Sequence, residues 1–209
     1  MYKFLPIITA GRMASSTLCS KIHNLPNCKN FWEAFREGGV IDKYRGKSNH
    51  KVNEGSFYQY IYSTDIKKDI TKFCQDNNMT EEFISFKIFN HHLSPNQVNN
   101  LLLPSHDEIK VIFLKRNLKD SYSSLMKAKI TSNWGTTPEK QKEINLNMGV
   151  VNIDIEVNYD CKAFIGYSKR MVDMFNRTEL FCKKNKIPYE IVNFEDVISD
   201  DFDASKLLF

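Results

Sequence analysis

The chain has 209 residues, 42% hydrophobic and 26% charged, with a formal net charge of +4. That length and balance suit one α/β domain with a full core and exclude a disordered or fibrous chain. The small excess of 29 basic over 25 acidic residues permits an anionic ligand but supplies no basic stripe for nucleic acid, and no stretch approaches the about 20 apolar residues of a membrane span.

Apolar runs of strand length alternate with helical patterns, which predicts βαβ units around a central, mainly parallel sheet in a single domain over 1–209. The first strand is Phe4 to Thr9, FLPIIT, where Pro6 suggests an edge or early position. After the loop AGRMASS comes a helix with Leu18, Ile22 and Leu25 on its apolar face, stopped before Pro26. Residues 30–60 are less regular: the aromatic stretch FWEAF, a Gly-Gly break at 38–39, and a basic loop from Lys43 to Lys51. The pattern then predicts a helix over Asp65–Asp76, a strand FISFKIF over Phe83–Phe89, a helix or loop through Val98–Leu103, and a strand IKVIFL over Ile109–Leu114. Asn117 is placed to cap a helix reaching Lys129, with Asp120 favouring the same start. Thr131 to Asn147 is polar, and Val150–Val157 alternates like a short strand. A long amphipathic helix over Asp160–Lys184 and a strand over Tyr189–Phe194 complete the pattern.

The five cysteines, Cys19, Cys28, Cys74, Cys161 and Cys182, are scattered and form no CxxC pair. This predicts free thiols in a reducing compartment and argues against a disulfide framework or a structural zinc site. The N-terminal MYKFLPIITA is too soon interrupted for a signal peptide, so a cytoplasmic protein is expected.

Two segments carry chemistry. Gly11-Arg12-Met13-Ala14-Ser15-Ser16-Thr17 joins a strand to a helix. The first N–H groups of a helix lack internal partners and its dipole favours negative charge, so this is a place for phosphate or sulfate. Ser and Thr add hydroxyl donors and Arg12 a charged fork; the same Ser-Ser-Thr run also serves as a plain helix cap. The second segment, VIFLKRNLKDSYSSLMKAK, puts Arg116 at the carboxyl end of a strand, where open α/β sheets bind ligands, with Ser124 in the early turns of the next helix. Arg116 and Ser124 suit one phosphate, gripped by charge and hydroxyl; a surface pair of Arg116 with Asp120 is the alternative.

With these segments the chain resembles the sulfotransferase superfamily, and most of all the bacterial carbohydrate sulfotransferases. That family's (Lys/Arg)-x-Gly-(Ser/Thr)-(Ser/Thr) loop, which holds the 5′-phosphosulfate, reads here Arg12-Met13-Ala14-Ser15-Ser16. Its Arg followed eight residues later by Ser, for the 3′-phosphate, is Arg116 and Ser124. FKIF followed by NHHL matches the family's Phe-Lys-Ile strand. NFEDVISD matches its Tyr-Glu-Asp-Leu segment, with Phe194 in the Tyr position. AKITSNW is similar to the Ala-Lys-x-Thr-Gly-x-Trp stretch. The resemblance spans Phe4 to Asp200 and implies a P-loop-like three-layer sandwich, with an acceptor-side excursion near 131–158.

The implied reaction moves a sulfonate from 3′-phosphoadenosine-5′-phosphosulfate to an acceptor hydroxyl, on a carbohydrate or glycolipid, without a metal. Arg12 and the amides of Ser15 to Thr17 stabilise the leaving phosphate, with Met13 and Ala14 in the same cofactor-binding loop. Glu33, in Trp32-Glu33-Ala34-Phe35, matches a base used by relatives, with Glu37 in reserve; as a bare residue it reads equally as a solvated charge. Lys87, in an apolar strand, either reaches the site or snorkels. His92 contacts the acceptor, acts as a base, or serves only its loop. Trp134 is a ring platform or a core residue. Ala14 stands where the family has Gly, harmless only at negative φ, and no Gly-rich basic loop precedes Phe209. A P-loop kinase is the alternative enzyme, although GxxxxGK[ST] is absent; a nucleotide-binding relative without turnover is another.

Overall fold

The computed structural model describes residues 2–31, 33, 35, 66–89, 92–103, 108–131 and 159–209. Glu37, His91, Trp134, the basic loop at 43–51 and the strand expected over 150–157 lie outside them. The chain forms two compact units, one of Met1–Arg116 with Arg170–Phe209 and one of Asn117–Lys169.

The first unit is built on five parallel strands: β1 (Lys3–Ile8), β2 (Cys28–Asn30), β3 (Phe83–Ile88), β4 (Val111–Lys115) and β5 (Tyr189–Asn193). Their order across the sheet is β2-β3-β1-β4-β5. β1 is therefore central, and the edge position suggested by Pro6 is corrected. The register shows how the proline is accommodated. Lys3 N–H donates to Glu82 on the β3 side (2.8 Å), whereas Phe4 N–H donates to Glu108 on the β4 side (2.7 Å). Even-numbered residues of β1 thus face β4, so the missing N–H of Pro6 falls there. The β1–β4 pairing is interrupted at that point, between the bridge Phe4–Ile109 and the pairs Ile7–Ile112 and Ile8–Phe113. Pairing with β3 runs without a break from Lys3 to Ile8.

Successive residues of a strand face opposite sides of the sheet. On one side α1 (Ser15–His23) packs over β2 and β3, with Leu18, Cys19 and Ile22 buried. The C-terminal segment lies over α1: α6 (Phe194–Ile198) and a 3-10 turn (Ala204–Leu207). Lys21 Nζ donates to Ser199 O (2.7 Å). On the other side lie α2 (Ile66–Asp76), α3 (Pro95–Leu102) and the later part of α5 (Cys161–Lys184). Phe73 of α2 meets Phe31 edge-on, and Phe175 of α5 lies against Phe113. The unit is a three-layer α/β sandwich.

Helix ends follow their caps. Ser94 and Gln97 form a reciprocal capping box around Pro95, which settles as α3 the segment that the apolar pattern left as helix or loop. In the second unit α4 (Leu118–Thr131) starts as expected. Asn117 Oδ1 accepts from the N–H of Lys119 (2.9 Å) and of Asp120 (3.4 Å). Around it Tyr122, Tyr159, Phe164 and Tyr167 form an aromatic cluster. Ser121 Oγ and Tyr167 OH share a buried hydrogen bond (2.7 Å). All five cysteines are free thiols, and Cys161 is the exposed one. Among the described residues no helix is long and apolar enough to cross a membrane.

Candidate functional site

From β1 the chain passes to β2 and β3 on one side of the sheet, then to β4 and β5 on the other. The carboxyl ends of β1 and β4 therefore flank a topological switch point, the crevice in which open α/β sheets take ligands. The loop after β1 carries Arg12, and Arg116 directly follows β4.

These two arginines meet. Arg116 Nη1 donates to the carbonyl oxygen of Arg12 (2.8 Å). The guanidinium lies on the ring of Phe194, with Cζ 3.8 Å from the ring centre. Its neighbour Lys115 is engaged elsewhere, 3.3 Å from Glu179, a carboxyl held below its ordinary range by hydrogen bonds from Lys183 and then Lys115. Among the described residues of this unit, no carboxylate pairs with Arg116. Burial, and then the charge of Arg116, pull the Arg12 guanidinium below its ordinary value. An anion bound here would relieve that repulsion.

The loop has a distinctive backbone. Arg12 (φ 69°) and Ala14 (φ 54°) both lie in the left-handed region. Left-handed residues of this kind occur in backbone nests, where successive N–H groups can converge on an anion. Leu18 N–H is the first to bond within α1, to Ala14 O (3.1 Å). The N–H groups of Ser15, Ser16 and Thr17 ahead of it have no intrahelical acceptor. The first turn contains no acidic side chain and Ala14 makes no side-chain cap. Ser16 and Thr17 are exposed, Ser15 is buried, and the Met13 side chain is wholly in the core. Met13 can serve a ligand only through its backbone.

The condition under which Ala14 would be harmless, a negative φ, is not met: its φ is 54°. A residue with a Cβ sits where glycine is favoured. Ala14→Gly is expected to stabilise the protein by about 1 kcal/mol, a rise in Tm of about 2 °C, because the released strain exceeds the added chain entropy. A thermal melt of the variant checks this.

Beside the loop, β3 presents Lys87. Its side chain is 2% exposed and its Nζ lies 3.3 Å from Glu33 Oε1, with Glu33 25% exposed. The ammonium is also 5.4 Å from the centre of the Phe89 ring. Lys87 is paired in register with Ile7 of β1, one layer below the loop. Around it are buried polar groups that sequence reading did not single out. Asn30 Nδ2 donates to Ser85 Oγ (2.6 Å). The Cys19 thiol is pushed up to about 12 by burial, an effect that Lys87 and a hydrogen bond with Asn30 oppose. Ser85 and Lys87 are polar residues at alternating positions of an apolar strand, which was the available signal for them; Asn30, in a three-residue strand, offered none.

His92 is turned toward its own loop. Its Nδ1 accepts the N–H of Phe89 (3.3 Å), and its ring stacks on the Phe89 ring at 4.8 Å. Ser124 lies in the second turn of α4, half-buried, in the second unit. Among the described residues no group of His, Cys, Asp and Glu is arranged to hold a metal ion.

No family model matches the chain, and no curated protein does. Among the solved structures that match is a sulfotransferase domain from the curacin biosynthetic pathway, 10% identical, with a TM-score of 0.49, covering 96% of this chain and 70% of that one.

Proposed function

We propose that the protein is a sulfotransferase that moves a sulfonate from 3′-phosphoadenosine-5′-phosphosulfate to an acceptor hydroxyl. The observation that carries this reading is the 2.8 Å bond from Arg116 to the Arg12 carbonyl. It joins the residues of two motifs, 104 positions apart, at the ligand-binding edge of a parallel sheet. In this reading the N–H groups of the 11–17 loop and Arg12 hold the 5′-phosphosulfate, and Arg116 holds the 3′-phosphate.

The acceptor oxygen attacks sulfur in line while the sulfur–oxygen bond to the 5′-phosphate breaks. Adenosine-3′,5′-bisphosphate leaves. Charge grows on the departing phosphate oxygen, where Arg12, Lys87 and the loop amides stabilise it. The acceptor proton passes to Glu33, which is partly exposed and held by Lys87. His92, with Nδ1 already accepting a backbone N–H, is the lesser candidate base. A carbohydrate or glycolipid acceptor is supported by the AKITSNW stretch, and a cytoplasmic location by the five free thiols.

The test is a thermal-shift titration with adenosine-3′,5′-bisphosphate, AMP, and ATP with magnesium. The bisphosphate is expected to raise Tm more than AMP at equal concentration, because only its 3′-phosphate reaches Arg116. Equal shifts would contradict the reading, and a larger shift with magnesium-ATP would favour a kinase.

A further inference from the structure

Arg116 is fixed at two points and incomplete at a third. One face of its guanidinium is covered by the Phe194 ring at 3.8 Å. One corner, Nη1, is bonded to the Arg12 carbonyl. Its Nε is buried and has no hydrogen-bond partner among the described residues. A buried N–H of a charged group left without an acceptor is costly, and its persistence points to a missing acceptor. Arginine is otherwise long and rotamer-rich, so its fork recognises an oxyanion well only when its plane is set beforehand. The groups that set it come from the start of α6 and from the loop after β1.

We propose that Phe194 is a positioning residue. Its ring clamps Arg116 against the Arg12 carbonyl, so that the guanidinium is already oriented for its Nε–H to donate to an oxyanion. This rests on the nucleotide reading only in naming that oxyanion as the 3′-phosphate. The clamp also ties the end of β5 to the strained loop after β1, joining the two anion-binding segments through one side chain. A stacked cation gains from the π face of Tyr as much as from Phe, and an aliphatic side chain of similar bulk gives no such attraction. Phe194→Tyr and Phe194→Leu therefore separate orientation from packing.

The experiment has a ligand-free arm and a ligand arm. In the free wild-type protein the Arg116 Nε–H resonance is expected upfield, shifted by the ring current, and slow to exchange. Phe194→Tyr keeps both properties and Phe194→Leu loses both, while Tm stays close to wild type. In the ligand arm, Phe194→Leu weakens adenosine-3′,5′-bisphosphate about tenfold and AMP by less than about twofold, with Phe194→Tyr restoring the bisphosphate. An unchanged Nε–H signal in Phe194→Leu overturns the clamp whatever the ligand is. A lost signal with undiminished preference for the bisphosphate also overturns the proposed role. A wild-type protein that shows the shifted signal but does not distinguish the two nucleotides upholds the clamp and overturns the nucleotide reading alone.

Discussion

Arg116→Ala is expected to weaken adenosine-3′,5′-bisphosphate by about a hundredfold and to bring it level with AMP. The magnitude follows from the removal of charge-assisted hydrogen bonds worth about 1.5–3 kcal/mol each, in a site where the partner oxyanion is taken out of water. AMP has no 3′-phosphate and loses only what the loop loses. That second loss is real but smaller: without the Nη1 bond to the Arg12 carbonyl, the left-handed conformations at Arg12 and Ala14 lose one support. Arg116→Lys separates the two contributions. It keeps the charge but not the fork, so it should recover part of the bisphosphate affinity while leaving the loop as loose as in Arg116→Ala. Isothermal titration of the two ligands against both variants gives the comparison. A variant without the guanidinium that still prefers the bisphosphate would remove the 3′-phosphate from this position.

The parts of this site that were legible in the sequence are those set by local chemistry. A strand, a short Arg-containing loop and a Ser-Ser-Thr helix start mark a strand–loop–helix turn whatever the rest of the chain does, and β1 and α1 flank one there. Asn117 before Leu118 marks a helix start in the same way. Ser94-Pro95-Asn96-Gln97 was equally readable as a capping box, yet apolar periodicity alone left that segment undecided. What the sequence could not show depends on partners distant along the chain. β2 has three residues, too few for a periodic signal, and exists because β3 offers it an edge. Pro6 argued against a central strand by a rule that holds when the strand its N–H would face is paired there; here the neighbour on that side is unpaired at that step. Met13 looked like one more loop residue, but the left-handed turns on either side of it drive its side chain into the core. The clamp on Arg116 requires residues 12, 116 and 194 at once, and no spacing rule connects them.

Lys87→Met is expected to leave the protein folded, with Tm within a few degrees of wild type, and to slow sulfonate transfer by about a hundredfold or more. The first half follows from the site of the side chain. Lys87 is buried in a core strand, Met has a similar length and no charge to desolvate, and removing one member of an ion pair is costly chiefly when the other is left buried. Glu33, being 25% exposed, can take up water where it loses the ammonium. The second half follows from the reaction. A fixed positive group beside a departing phosphate is worth about 10²–10³ in rate when removed, and methionine offers nothing in exchange. Glu33→Gln completes the argument because its amide oxygen can still accept from Lys87 Nζ, leaving the packing intact while removing the base. A general base contributes about 10²–10⁴ in rate, so the loss should be of that order and should shrink as pH rises and free hydroxide takes over. Equal, pH-independent losses in the two variants would instead make the pair a single structural unit, with Glu33 serving to neutralise a buried lysine and the proton leaving by another route.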